Sequence, residues 1–283
     1  MANHEREPYV VTGKPFTAVA INTASKAGEW MKSRLGQALE VSLKSSPHDL
    51  VTEVDKSTEL MIRKLLLTYF PSHEILGEEG IEPGPGGLQK ALDYVKEEEY
   101  VWIVDPIDGT TNFVHGLPFY SVSIALAHHG DIIVGIVYDP IRDELFVAEK
   151  GKGAYVRGKR MQVSQEDVLQ QSLLGTGFPT ERETMLPLAL AQMSRLAPKV
   201  RNIRAAGSAA LHMAYVAAGR LSGFWEPNLN AWDVAAGKLL VEEAGGRVTG
   251  FGGEPYALGL RNIVATNGRI HDELVRELGQ VEV

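Results

Sequence analysis

Three apolar segments that follow one another through very short connections are the feature of this 283-residue sequence that most constrains its fold. They cover residues 119–127, 132–138 and 144–149, and Gly-Asp and Asp-Pro turn signals separate them. Strands joined by such turns pair as antiparallel neighbours. We therefore predict an antiparallel meander, which follows an apolar strand at residues 100–104 and is extended by a further hairpin turn at residues 151–159.

The segments before this meander have mixed patterns. Apolar residues recur at helical spacing over residues 16–34 and 54–69, which predicts two helices. Shorter apolar stretches predict strands at residues 39–44 and 73–76. The segment 81–87 is rich in Gly and Pro and predicts a loop.

Beyond about residue 164, short strands alternate with helices, which is the pattern of an α/β unit. Strands are predicted at residues 172–174, 200–203, 221–225, 247–249 and 262–265, and helices at 181–197, 208–218, 231–244 and 269–278. We therefore divide the chain into an N-terminal α+β half, residues 1–165, and a C-terminal α/β half, residues 166–283. No flexible linker marks the boundary.

The composition excludes several classes of protein. Hydrophobic residues make up 44% and charged residues 23%, which is ordinary globular usage. The chain has no cysteine, so disulfides, thiolate nucleophiles and thiolate metal sites are excluded. With a net charge of −8 and no long basic block, direct nucleic-acid binding is not expected. No apolar run has signal-peptide or membrane-span length, so the expected location is the cytoplasm.

Two carboxylates follow the strand at residues 100–104. That strand is expected to stop at Asp105, because Pro106 cannot donate to a strand ladder, and the turn can aim Asp105 and Asp108 at one point. Gly109 lets the backbone approach a ligand closely, and a short helix beginning at Thr110 would point N–H groups at an anion. Carboxylates beside an anion are chemically sensible if divalent cations lie between them. The alternative is that both are turn and cap residues.

Other acidic residues are ambiguous when each is taken alone. Glu78 and Glu79 follow the predicted strand at residues 73–76. Adjacent glutamates are usually solvated, although carboxylate oxygens are the ligands that Mg²⁺ prefers. Asp55 and Asp233 each lie three residues after a predicted helix N-cap, where a capping box is the simpler interpretation.

Four segments together resemble the motifs of the inositol monophosphatase family, within a wider group of lithium-sensitive, metal-dependent phosphatases. They are Leu50-Val-Thr-Glu-Val-Asp55, Gly77-Glu78-Glu79, Asp105-Pro-Ile-Asp108-Gly-Thr-Thr-Asn-Phe and Trp232-Asp233-Val-Ala-Ala-Gly237. Their order and spacing agree with the family from about residue 16 to residue 279. The resemblance implies a layered α-β-α-β-α sandwich of the inositol monophosphatase and fructose-1,6-bisphosphatase type.

The resemblance also implies catalysis by about two or three Mg²⁺ ions, since two ions can stabilise both the attacking and the leaving oxygen of a phosphoryl transfer. The implied ligands are Glu78, Asp105 and the backbone carbonyl of Ile107 for a first ion, Asp105, Asp108 and Asp233 for a second, and Glu79 near a weaker third. Thr110, with Glu78 or with Asp55, is implied to orient the attacking water.

The implied substrate contacts lie on both halves of the chain. Asp108 and the backbone N–H groups of Gly109 and Thr110 would contact the phosphate side. The sugar side would be lined by Gly207, Ser208 and Ala209, with Glu226 binding inositol hydroxyls. Lys44, in a segment also seen in the family, would act on the site electrostatically. Simple N-capping is an equal alternative for Ser208. Residues 227–231 depart from the animal enzymes, which leaves the polyol specificity open.

The favoured function is therefore Mg²⁺-dependent hydrolysis of a small phosphate monoester, with myo-inositol 1-phosphate first among substrates, by a homodimer. One alternative is a related phosphatase acting on fructose 1,6-bisphosphate, histidinol phosphate or 3′-phosphoadenosine 5′-phosphate. Another is a regulatory binding protein that keeps the fold.

One pair of histidines stands outside these motifs. His128-His129 precedes Gly130-Asp131, and we interpret it as a solvated turn, with metal binding as the less favoured alternative.

Overall fold

The computed structural model describes residues 15–36, 41–44, 49–81 and 85–281. Its helices and strands form five layers in the order α-β-α-β-α. The elements outside these layers are the helix α3 (Pro85–Glu97) and several short ones. The short elements are β1 (Val41–Leu43), β2 (Leu50–Thr52), a 3₁₀ turn (Glu78–Gly80), α4 (Thr110–His115) and a second 3₁₀ turn (Leu169–Gln171).

The first sheet has seven strands and contains the predicted meander. In spatial order its strands are β3 (Glu74–Gly77), β4 (Tyr100–Asp108), β5 (Ser121–His128), β6 (Asp131–Asp139), β7 (Glu144–Glu149), β8 (Gly153–Val156) and β9 (Lys159–Arg160). Only the pairing of β3 with β4 is parallel among these neighbours, and every later pairing is antiparallel. The predicted meander is confirmed.

Both faces of this sheet are covered, which explains why its strands are continuous apolar runs. On β4, Trp102 and Val104 pack with the outer helices α1 (Phe16–Arg34) and α2 (Glu53–Tyr69). The alternate residues Val101 and Ile103 face the opposite side, as the period-two geometry of a strand requires.

The middle layer consists of α6 (Ala209–Ala217) and α7 (Ala231–Glu243), which lie between the two sheets. A helix that is apolar all round is a buried helix. The close packing of α7 on β6 depends on the absence of a side chain at Gly135. A Cβ on Gly135 would lie 2.7 Å from the carbonyl oxygen of Ala236.

The second sheet has five strands and an outer helical layer. In spatial order the strands are β11 (Asn202–Ala205), β10 (Leu173–Thr176), β12 (Gly223–Glu226), β14 (Ile263–Thr266) and β13 (Arg247–Gly250). The outer layer is α5 (Arg182–Leu196) and α8 (His271–Gly279). The predicted layered sandwich is confirmed, whereas the division of the chain at residue 165 stays a prediction.

Two predictions about local structure were wrong. Strand β4 does not stop at Asp105 but continues to Asp108, because the pairing with β5 shifts register there and such a bulge accommodates a proline. The predicted loop at 81–87 overlaps α3, which begins at Pro85. Proline is favoured at the first helical position because its missing N–H would have no acceptor there.

Residues 39–40 of the first predicted strand and residues 82–84 of the predicted loop lie outside the described residues. None of the helices in the described part of the chain combines the length and the apolar character that a membrane crossing requires.

Candidate functional site

A cavity of 360 Å³ opens where the ends of elements from both halves of the chain meet. Strands β4 and β12 end there, and helices α4, α6 and α7 begin there. The cavity is lined by most of the residues singled out in the sequence, namely Glu78, Asp105, Ile107, Asp108, Gly109, Thr110, Gly207, Ala209, Glu226 and Asp233. Three others lie beside the lining residues. Asp55 contacts Thr110, Ser208 contacts Asp108, and Glu79 shares the Lys44 ammonium with Glu78.

Three aspartates form the centre of this site. Asp105, Asp108 and Asp233 each place a carboxylate oxygen within 4.8 Å of the other two. Asp105 and Asp108 are buried, at 2% and 6% exposure. The carboxylate of Asp105 also interacts with those of both Glu78 and Asp233. Clustered carboxylate oxygens of this kind are a typical donor set for a hard divalent cation, so the arrangement can hold a metal ion.

The surroundings of the aspartate cluster disfavour the negatively charged form of its carboxyl groups. Burial raises the pKa of Asp105 well above its ordinary value, and the negative charges of Glu78, Asp108 and Asp233 raise it further. Burial and the charge of Asp108 likewise raise the pKa of Asp233. Groups in this situation either bind protons or are compensated by cations.

Asp55 and Asp233 are both helix caps and members of the site. One oxygen of Asp55 accepts the N–H of Thr52 at 2.8 Å, and the other accepts the hydroxyl of Thr110 at 3.0 Å. Asp233 accepts the N–H of Asn230 at 2.7 Å while it belongs to the aspartate cluster. The capping interpretation and the functional one are therefore compatible, because a cap that fixes one oxygen aims the other.

Asp108 is held by the beginning of α6. Its carboxylate accepts the N–H groups of Ala210 at 2.8 Å and Ala209 at 3.2 Å, together with the hydroxyl of Ser208. Ser208 also caps α6 by accepting the N–H of Leu211. These donors orient Asp108, and a direct contact of Ser208 or Ala209 with a substrate stays a prediction.

Two glycines allow the halves of the chain to approach at the cavity wall. Gly109 has a φ of +101°, and a Cβ on it would lie 2.9 Å from the carbonyl oxygen of Gly207. The amide of Asn112 then bridges the halves by donating to the carbonyl oxygens of Phe119 and Ala206, both at 2.6 Å. Side chains at either glycine would separate these segments.

Glu78 and Glu79 lie at the end of β3 beside Lys44. The Lys44 ammonium contacts Glu78 at 2.7 Å and Glu79 at 2.5 Å, as its expected electrostatic role requires. Burial raises the pKa of Glu79 to about 7 although Lys44 opposes this change. The two glutamates are therefore not a solvated pair.

Glu59 is a member of this site that sequence reasoning missed. It is buried on α2, its Oε2 accepts the N–H of Glu79 at 2.8 Å, and its Oε1 accepts Arg63 Nε at 2.8 Å. A Cβ on Gly77 would lie 2.4 Å from the Glu59 carboxyl carbon. The available signal was a glutamate on the buried stripe of α2, one turn before Ile62.

Glu226 ends β12 and lines the cavity. Burial raises its pKa well above the ordinary value, and the charges of Asp233 and Asp108 raise it further. Within the described part of the chain, no residue donates a hydrogen bond to its carboxylate. Its acceptor capacity is thus available to a molecule in the cavity.

Comparison with known proteins agrees with this geometry. The sequence model of the inositol monophosphatase family matches residues 13–282. The chain is 41% identical over 269 residues to inositol monophosphatase 2 of Solanum lycopersicum, covering 94% of this chain and 99% of that protein. It is 40% identical over 266 residues to Nus factor SuhB of Pasteurella multocida (strain Pm70), covering 93% and 96%. The solved structure of extragenic suppressor protein suhB from Bartonella henselae matches with a TM-score of 0.84 at 40% identity, covering 93% of this chain and 98% of that one. The chain therefore belongs to the inositol monophosphatase family.

Proposed function

We propose that this chain hydrolyses the phosphate monoester of a small polyol, with myo-inositol 1-phosphate as the favoured substrate, in a reaction that depends on Mg²⁺. The observation that carries the proposal is the meeting of Asp105, Asp108 and Asp233 at one cavity. Its volume of 360 Å³ falls within the range of small-molecule sites. Membership of the inositol monophosphatase family supports a phosphatase.

The donor set fits Mg²⁺, because it consists of carboxylate and carbonyl oxygens. We assign Glu78, Asp105 and the Ile107 carbonyl to one ion, Asp105, Asp108 and Asp233 to another, and Glu79 to a weaker third. The Ile107 carbonyl oxygen lies 3.1 Å from Thr110 Oγ1 and has a lone pair available for a cation. When bound, such ions lower the pKa of water and neutralise charge on the attacking and leaving oxygens.

Thr110 and Asp55 are assigned to the attacking water. The Thr110 hydroxyl donates to Asp55 Oδ1 at 3.0 Å, which leaves its lone pairs free to accept a hydrogen bond from water in the cavity. A proton taken from that water can pass through Thr110 Oγ1 to Asp55. Of the two partners expected for Thr110, this contact favours Asp55 over Glu78.

The phosphate is assigned to the beginning of α4. Gly109 and Thr110 line the cavity, and the first N–H groups of a helix have no acceptor within the helix. They are therefore available to phosphate oxygens. Glu226 lies on the same cavity and is assigned to the hydroxyl groups of the polyol.

A substrate panel at saturating Mg²⁺ tests this function. We expect myo-inositol 1-phosphate to have the highest kcat/KM. If fructose 1,6-bisphosphate, histidinol phosphate or 3′-phosphoadenosine 5′-phosphate is turned over faster, the polyol assignment is wrong and the metal chemistry stands. Absence of turnover with every phosphate would favour the regulatory alternative, to which the name of the Nus factor relative points. Lithium inhibition, a homodimer and a cytoplasmic location stay predictions.

Glu226→Ala is expected to lower kcat/KM for inositol 1-phosphate by about tenfold to a hundredfold, since a hydrogen bond to a charged group contributes about 1.5–3 kcal/mol. An aryl phosphate has no ring hydroxyls and should lose little. Steady-state kinetics on both substrates measure the difference. Equal losses would mean that Glu226 serves the cations or the fold, and no loss on either would mean that it contacts no substrate.

Glu59→Ala is expected to raise the Mg²⁺ concentration for half-maximal activity by about tenfold to a hundredfold, the usual effect of losing a group that orients a metal ligand. Glu59→Gln should retain most of the affinity, because its amide oxygen can still accept the Glu79 N–H. Glu242→Ala removes an exposed carboxylate that pairs with Lys238 one turn earlier on α7 and serves as the control. If Glu59→Ala changes thermal stability but not the Mg²⁺ dependence, Glu59 is structural only.

A further inference from the structure

We propose that Glu99, His128 and His129 form a second metal site on this chain, one that binds Zn²⁺ or a similar transition-metal ion. Each of these residues can place a ligand atom within 4.8 Å of the other two. The carboxylate of Glu99 lies 3.9 Å from His128 Nε2. Metal–nitrogen and metal–oxygen bonds of about 2.0–2.2 Å require each ligand to move inward by only about 1 Å, which side-chain rotation can supply.

The backbone holds the three residues together independently of any ion. His128 ends β5 and is paired with Tyr100 across the ladder and with Asp131 across the hairpin. The two residues of the connecting turn, His129 and Gly130, both have positive φ, at 49° and 80°, which is the tight turn that matches the twist of a hairpin. The N–H of His129 donates to the Glu99 carbonyl oxygen at 2.9 Å.

Ring stacking restricts the orientation of the first imidazole. The His128 ring lies 4.5 Å from the Tyr100 ring with an interplanar angle of 22°, and Tyr100 stacks in turn on His73 at 4.7 Å and 8°. The His129 ring lies 4.5 Å from His128 at 47°. This column of rings begins in the core and ends at the half-buried His128 and the exposed His129, so part of the ordering cost of binding an ion is already met.

The ligand types select the class of metal. Two imidazoles and one carboxylate suit Zn²⁺, Cu²⁺ or Ni²⁺, whereas Mg²⁺ prefers oxygen ligands. Three protein ligands leave a further coordination position for water. The aspartate cluster, by contrast, offers oxygen atoms only.

The two sites lie at opposite ends of β4. Tyr100 begins the strand and Asp105 lies five residues further on, a separation of about 17 Å at roughly 3.4 Å per residue. An ion at the histidine site would tie the β5–β6 hairpin to the segment before β4. It would therefore stabilise the fold without contacting the proposed substrate.

Isothermal titration of the whole chain with Zn²⁺ in excess Mg²⁺ tests the site. The variants are His128→Phe, which keeps a ring for the Tyr100 stack, His129→Asn, which tolerates the positive φ, and Glu99→Gln. Each is expected to weaken one Zn²⁺ site by about tenfold or more. Asp131→Asn, on the same hairpin and paired with Lys150, is the control and should bind as the unmodified chain does.

A second measurement locates the ion. Anomalous diffraction from Zn²⁺-soaked crystals is expected to give a peak among the three side chains, and this peak should be absent in the His128→Phe and His129→Asn double variant. Phosphatase activity with Mg²⁺ should be unchanged in that variant, so failure of this site and failure of the proposed function are distinguishable. Equal Zn²⁺ affinity in the unmodified chain and the double variant would overturn the proposal. So would the absence of an anomalous peak among the three side chains of the unmodified chain.

Discussion

Asp105→Asn is expected to lower kcat/KM by about a thousandfold, whereas Glu79→Gln is expected to lower it by about tenfold. Asp105 is buried and lies within reach of Glu78, Asp108 and Asp233, so it is the carboxylate assigned to two ions. Stabilisation of transition-state charge by such ions contributes several kcal/mol, and about 1.36 kcal/mol corresponds to a factor of ten in rate. Glu79 is paired with Lys44 at the edge of the site and is assigned only to a weaker ion.

Kinetics of the two variants over a range of Mg²⁺ concentrations provide the measurement. Asp105→Asn should not recover at high Mg²⁺, because an amide cannot supply the charge that two ions share. Glu79→Gln should recover most of its activity when Mg²⁺ is raised. Comparable, Mg²⁺-insensitive losses in both variants would contradict the assignment of Asp105 as the shared ligand.

Removal of divalent cations by a chelator is expected to abolish turnover and to leave a folded protein whose stability decreases as the pH rises. The pKa values of Asp105, Asp108, Asp233 and Glu78 are raised in the fold, chiefly by burial. A carboxyl group whose pKa is higher in the folded than in the unfolded chain stabilises the fold below its unfolded pKa of about 4. That contribution is lost as the pH rises through the folded pKa, which for Glu79 is about 7.

Mg²⁺ should reverse this dependence, because it binds the ionised form of the site. An ion present at about a hundred times its Kd adds about 2.7 kcal/mol to the free energy of unfolding. Asp105→Asn removes one of the repelling charges, so it should stabilise the chelated protein at neutral pH although it is nearly inactive. This opposite effect on stability and activity is expected of a group retained for function.

Thermal unfolding at a series of pH values between about 4 and 8, with chelator and with Mg²⁺, measures both effects. Asp131→Asn, at a surface position paired with Lys150, is the control and should follow the unmodified chain. Full turnover in excess chelator would refute the metal-dependent mechanism. A chelated protein whose stability is independent of pH, or one that Asp105→Asn destabilises, would contradict the electrostatic account of the cluster.

Patterns within single elements predicted much of the fold. Helical spacing located α1 and α2, and turn residues between apolar runs located the strands of the meander. These features depend on neighbours a few residues apart in the chain, so they are present in the local sequence. The errors occurred where a local breaker was tolerated: Pro106 lies in a bulge of β4, and Pro85 begins α3.

The grouping of site residues came from the family resemblance rather than from any local pattern. Neighbouring residues alone left Asp55 and Asp233 as caps, Glu78 and Glu79 as a surface pair, and Ser208 as an N-cap. The structure retains the capping contacts of Asp55, Asp233 and Ser208 and adds contacts of these residues with others at the cavity. A local pattern could not distinguish a residue that only caps a helix from one that also belongs to the site. The second contact of each residue is made with a part of the chain that is distant in sequence.

The sequence by itself therefore determined the elements, the meander and, through its motifs, the family. Only the tertiary structure decided that Asp55 rather than Glu78 contacts Thr110, that Glu59 holds the Glu79 backbone, and that the donors at the beginning of α6 point at Asp108. Each of these contacts joins residues 20 or more positions apart in the chain. Such contacts depend on how two sheets and their helices pack, and packing is a property of the whole core rather than of any one segment.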